Sequence, residues 1–159
     1  MKSTLVSLAK PVAGALAVHC TFSAVSLVDR LSLQDTAKYK EALEMFEKVI
    51  AVKTRVLGPD HTSTLDTMNS IGMVLQNTGK HKEALEMHEK ALAGKTRALG
   101  LDHPWTLDTM HNIGNVLKST GKYKEALEMY EKALAGQTRA LGPDHTSTLR
   151  TMNNIGLLL

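Results

Sequence analysis

The chain repeats itself every 42 residues, and that period constrains its fold more than any other property of the sequence. Thr36-Ala37-Lys38-Tyr39-Lys40-Glu41-Ala42 returns as Thr78-Gly79-Lys80-His81-Lys82-Glu83-Ala84 and again as Thr120-Gly121-Lys122-Tyr123-Lys124-Glu125-Ala126. Residues 120–159 differ from residues 78–117 at ten of 40 positions, and residues 36–77 differ from 78–119 at fifteen of 42. Self-similarity at a fixed spacing marks an array in which each unit buries its apolar face against its neighbours. The single core that 159 residues would otherwise suggest is therefore set aside. The sequence predicts a leader over 1–35 and an array over 36–159, with units 36–77, 78–119 and a shortened 120–159.

Inside each unit the apolar spacing is helical. Leu65, Met68, Ile71, Gly72 and Leu75 recur at steps of three or four, which predicts a first helix over about Ser63–Asn77. Asn77-Thr78-Gly79 ends it, and a second helix runs from about Lys80 to the stop at Leu99-Gly100. The equivalent stops, Leu57-Gly58-Pro59-Asp60 and Leu141-Gly142-Pro143-Asp144, add a proline that cannot continue a helix. The next first helix is expected to begin near Thr62, Pro104 or Thr146. Gly72, Gly114 and Gly156 sit within first helices, where glycine costs roughly 1 kcal/mol against alanine. Such a recurring cost implies close contact with the second helix, with Ala84 and Ala126 expected across from it. The sequence offers no reason for Gly94 and Gly136, since the first copy carries Val52 there.

These residues resemble the tetratricopeptide repeat family. Ile71-Gly72, Leu75, Gly79, Ala84, His88 and Ala91 fall in order on that motif, as do Ile113-Gly114, Leu117, Gly121, Ala126, Tyr130 and Ala133. The 42-residue unit is similar to the kinesin light chain type of repeat, and also to repeat arms of signalling ATPases of the NB-ARC or NACHT type. The resemblance implies an all-α, right-handed solenoid of antiparallel helix pairs (a TPR superhelix) that binds a protein or peptide ligand in a concave groove. An alternative is a sensor or regulatory arm of a larger ATPase of that kind.

The resemblance places the groove on the first helices. Asp66, Asn69, Met73 and Gln76 would line it in one unit, Asp108, His111, Asn115 and Lys118 in the next, then Arg150, Asn153 and Leu157. Helical spacing independently sets each group on one stripe. Beside it, Ser70, Asn112 and Asn154 would offer polar groups to a peptide backbone. The stripe changes between units while the core is expected to stay constant. Trp105, where the other copies have Ser63 and Ser147, is read as either a binding anchor or a cover for the preceding turn.

The remaining chemistry is sparse. A charge of +3, with acidic and basic residues interspersed, predicts no nucleic-acid partner. His61, His103 and His145 recur one per unit in Asp-His turns, so they surround no common centre, and His81 and His88 take aromatic positions held elsewhere by Tyr39, Phe46, Tyr123 and Tyr130. No metal, cofactor or catalytic residue is expected, because Asp, His and Ser/Thr are multiplied with the repeat and Cys20 has no identifiable partner. A lone cysteine fits a reducing compartment, and the repeats read as cytoplasmic, with no membrane contact expected.

The two ends depart from the period. Residues 1–28 lack acidic groups and hold an apolar stretch from Val12 to Val28. They read as a capping helix or disordered leader, or as a secretory signal peptide, against which Lys10-Pro11 interrupts the apolar region. The other end, Ile155-Gly156-Leu157-Leu158-Leu159, is apolar where solenoids usually present a polar cap. It predicts either a fragment of a longer array or self-association through the exposed C-terminal helix.

Overall fold

The computed structural model describes residue 35 and residues 37–159; residues 1–34 of the leader, with Cys20 and the capping-helix, disordered-leader and signal-peptide readings, lie outside the described residues. All regular structure among them is helical: α1 (residues 37–57), α2 (Thr62–Asn77), α3 (His81–Leu99), α4 (Pro104–Ser119), α5 (Tyr123–Leu141) and α6 (Thr146–Gly156). The first helices of the units are thus α2, α4 and α6, and the second helices are α1, α3 and α5. Each helix packs on the next from α2 to α6, and α2 also meets α4 directly. The result is the expected all-α solenoid.

The turns explain why the period is so regular. Leaving α2, Gly79 adopts φ +76°, so that the Lys80 N–H reaches the Leu75 carbonyl at 2.9 Å and the Gly79 N–H reaches Gln76 at 3.0 Å. This paired closure satisfies carbonyls that the helix end would otherwise strand. Gly121 repeats it after α4 at φ +77°. The other turn type is different. Gly100 and Gly142 stand at φ +91°, ψ 166° and φ +94°, ψ 162°, an extended region that only glycine occupies readily. Their carbonyls accept from the Thr106 and Thr148 hydroxyls at 2.9 and 2.8 Å, and Gly58 accepts from Thr64 at 2.9 Å.

The helices start where the sequence reading places them, at Thr62, Pro104 and Thr146, and the structure adds what caps them. The N-cap residues are the turn histidines themselves: Nδ1 of His61, His103 and His145 accepts from the N–H of Ser63, Trp105 and Ser147, each at 3.2 Å. Thr62, Pro104 and Thr146 are the first residues within each helix. An imidazole with an unprotonated Nδ1 can fill the role that a short oxygen-bearing side chain usually takes.

The core runs between helix pairs. Ile71, Leu75, Ala84 and Val116 form one buried group, and Ile113, Leu117, Ala126 and Tyr130 another. Leu107, Met110 and Ala133 form a third. A Cβ on Gly72 would lie 2.6 Å from the His88 ring, and one on Gly114 would lie 2.6 Å from Tyr130. The expected close contact with the second helix is thus made, and what comes nearest to each glycine is a ring of that helix, while Ala84 and Ala126 are fully buried in the same core groups. Gly94 and Gly136 now have a reason too, since a Cβ there would fall into the side chains of Leu65 and Leu107. Each helix pair approaches through two reciprocal notches, a glycine on one helix receiving a large side chain of the other.

Candidate functional site

The faces of α2, α4 and α6 that carry the expected groove residues are joined by side-chain bonds between successive first helices. Arg150 Nη2 of α6 meets Asp108 Oδ1 of α4 at 3.2 Å, Asn154 Nδ2 donates to Asn115 Oδ1 at 3.2 Å, and Asn112 Nδ2 of α4 donates to Asn69 Oδ1 of α2 at 3.3 Å. These bonds hold neighbouring first helices in lateral register.

Two coupled exchanges account for much of the variation along this stripe. The first surrounds the ring notch. In one pair, His88 fills the notch and its Nδ1–H donates to Asn69 Oδ1 at 2.8 Å, while position 73 is a methionine. In the next, Tyr130 fills it and its hydroxyl donates to Asn115 Oδ1 at 2.6 Å. Asn115 is the counterpart of Met73, and His111, the counterpart of Asn69, lies against the Tyr130 ring with centroids 5.4 Å apart. The stripe thus changes together with the core, contrary to the expectation that one varies while the other is constant. His111 is only 2% exposed, so its placement among ligand-contacting residues is corrected.

The second exchange concerns charge. Lys95 is 3% exposed, and its Nζ sits 2.7 Å from Asp66 Oδ1 and 3.5 Å from the Trp105 carbonyl. One period on, the acid is Asp108, but the helix contributes Gln137 and the cation comes from Arg150 on α6. Each acid therefore has one cation, and no lysine is buried beside Arg150. Sequence reasoning passed over Lys95 and Gln137. The signal was available, because Lys95→Gln137 and Asp108→Arg150 are exchanged in the same comparison of units.

The buried rings are neutral. The Thr151 hydroxyl donates to Ser147 O at 3.1 Å, so it accepts from His111 Nδ1–H at 2.8 Å, and His111 Nε2 accepts from Asn154 Nδ2 at 3.3 Å. Burial, then Arg150 and Lys118, lowers the His111 pKa to about 4. Burial, then Lys95, does the same for His88, whose Nε2 has no partner. Burial pushes the Tyr130 phenol up to about 12.

What remains for a ligand is narrower than the sequence implied. A cleft of about 380 Å³ opens between α2 and α4, lined by Asp66, Asn69, Ser70, Lys95, Trp105 and Asp108. Trp105 is 50% exposed and makes an edge contact with His103. Met73, Arg150, Asn153 and Leu157 are exposed, while Gln76, Asn112 and Lys118 are partly so. Asn154 is engaged at both ends of its amide, since Lys118 Nζ donates to its oxygen at 3.3 Å. Ser70 Oγ donates within its own helix to the Asp66 carbonyl. Among the described residues no group of three His, Cys, Asp or Glu side chains could hold a metal ion, and no helix is long and apolar enough to cross a membrane.

The profile of the tetratricopeptide repeat family matches residues 31–97, 65–139 and 109–159. No curated protein matches the chain. Among solved structures, it is similar to the nearly identical TPR-like repeats named for a kinesin light chain of Podosopora anserina. The identity is 27% and the TM-score 0.71, over 79% of this chain and 59% of that one. BtubC (BKLC) of P. vanneervenii, at 18% identity and TM-score 0.71, shares the fold over 77% of this chain and 49% of its own. The chain thus spans less than two thirds of the length of either structure.

Proposed function

The chain belongs to the tetratricopeptide repeat family, and from that premise we propose that this protein-interaction scaffold holds an extended peptide segment along the joined faces of α2, α4 and α6. The observation that carries the reading is the half-exposed Trp105 in a cleft whose polar walls, Asp66 and Asp108, are already fixed by Lys95 and Arg150. An aromatic side chain beside positioned polar groups offers contact area without a large ordering cost on binding. Asn112 adds an amide oxygen that takes no hydrogen bond among the described residues, suited to a backbone N–H. The work is recognition, and the proposal assigns no catalytic step, cofactor or metal. A pull-down with the chain, read by mass spectrometry, should enrich partners that Trp105→Ser loses; equal capture by that variant would count against the face.

We also propose contact between copies through α6. Leu149 and Met152 of α6, and Leu157 at its C-terminal cap, are exposed together. Sedimentation that remains monomeric as concentration rises would overturn this contact.

A further inference from the structure

We propose that acid loosens the α2–α3 and α4–α6 contacts through His88 and His111, and with them the proposed ligand-binding face. The regulatory part rests on reading that face as the binding one; the conformational part rests on geometry alone.

His88 is fully enclosed against the Gly72 notch. Its one hydrogen bond uses Nδ1–H, and its Nε2 is buried with no partner. A proton on Nε2 would add a donor and a charge where neither is compensated. The neighbours do not help: α2 offers Asn69 and the notch glycine, α4 offers Asn112 bonded to the same Asn69 oxygen, and the nearby charge on its own helix is Lys95, already paired with Asp66.

His111 meets the same obstacle from the other side. Its Nε2 is occupied by a donor, Asn154 Nδ2, and its Nδ1–H already serves Thr151. Protonating Nε2 sets two donors against each other. α6 presents Arg150, α5 presents the phenol of Tyr130, and α4 itself contributes Lys118 together with Asp108, whose Oδ1 is taken by Arg150. Both rings are therefore held neutral in the fold, while in the unfolded chain they accept protons near the ordinary histidine value of about 6.5.

The chain supplies its own pH-insensitive replacements. Phe46 stands at the position of His88, and Asn69 and Asn153 stand at that of His111. Urea unfolding followed by Trp105, the single tryptophan, can be compared at pH 7 and pH 5 for the natural protein and for His88→Phe with His111→Asn. The lower pH still lies above the usual carboxylate range. The unfolding constant should rise roughly tenfold for each histidine in the natural protein, and the double variant should lose most of that rise. An equal rise in the double variant would overturn the proposal. NMR titration of the two imidazoles in the natural protein gives a second test that needs no variant. Both should stay neutral in the folded state at pH 5, and titration near pH 6.5 contradicts the proposal. Neither readout involves a ligand, so the binding reading and the acid response can fail separately.

Discussion

Tyr130 donates its hydroxyl to Asn115 Oδ1 at 2.6 Å, joining a core ring to a side chain on the stripe expected to bind a ligand. Position 115 is therefore chosen partly by what position 130 requires. Asn115→Met, which copies Met73 of the preceding unit, leaves the buried hydroxyl without that acceptor and should cost about 1–3 kcal/mol. In a Tyr130→Phe background the same change should cost clearly less. A double-mutant cycle in urea measures the coupling, and additive effects would mean that the bond contributes nothing specific.

The same substitution should have opposite signs at equivalent glycines. Gly114→Ala gains roughly 1 kcal/mol of helix propensity but forces a methyl into the Tyr130 ring, an overpacking cost of about 1–3 kcal/mol. Gly156→Ala meets nothing and sits at the end of α6, so it should be neutral or stabilising by a few tenths of a kcal/mol. Thermal midpoints of the two variants compare these directly; a loss at both positions would contradict the notch geometry.

The charge exchange can be rebuilt. Gln137→Lys should bury a cation near the Asp108–Arg150 pair and destabilise by about 1–3 kcal/mol. Adding Arg150→Asp recreates the Asp66, Lys95 and Asp108 arrangement one unit later and should recover most of the loss. If Arg150→Asp instead deepens the loss, the charge logic is wrong. Urea midpoints of the two single variants and the double variant decide it.

The repeat, the helix pairs and the Gly stops were legible because each rests on local chemistry repeated in register: apolar steps of three or four, and glycine where positive φ is needed. The site was less legible. Helical spacing could place His111 on a stripe, but its burial depends on Tyr130 and Thr151, which are 19 and 40 residues away. The partner of Gly94 is not legible along the chain because Leu65 lies on another helix. The histidine caps were less legible because histidine is not among the residues that usually cap a helix, although the starts at Thr62, Pro104 and Thr146 were.

The face itself can also be tested for its polar contribution. Asn112→Ala with Lys118→Ala removes one amide oxygen and one partly exposed cation. The double variant should weaken partner capture severalfold while moving the thermal midpoint little, because Asn154 keeps its bonds to His111 and Asn115. Comparable losses in capture and in folding would assign the pair to stability instead.

The most direct measurement is to select a binder from a random peptide library on the whole chain and map it by backbone amide shifts. Binding as proposed should concentrate the shifts on α2, α4 and α6 around Ser70, Trp105, Asp108 and Asn112, and should change Trp105 fluorescence. Shifts concentrated on the outer surfaces of α3 and α5, with Trp105 unaffected, would contradict a peptide-holding face on the first helices.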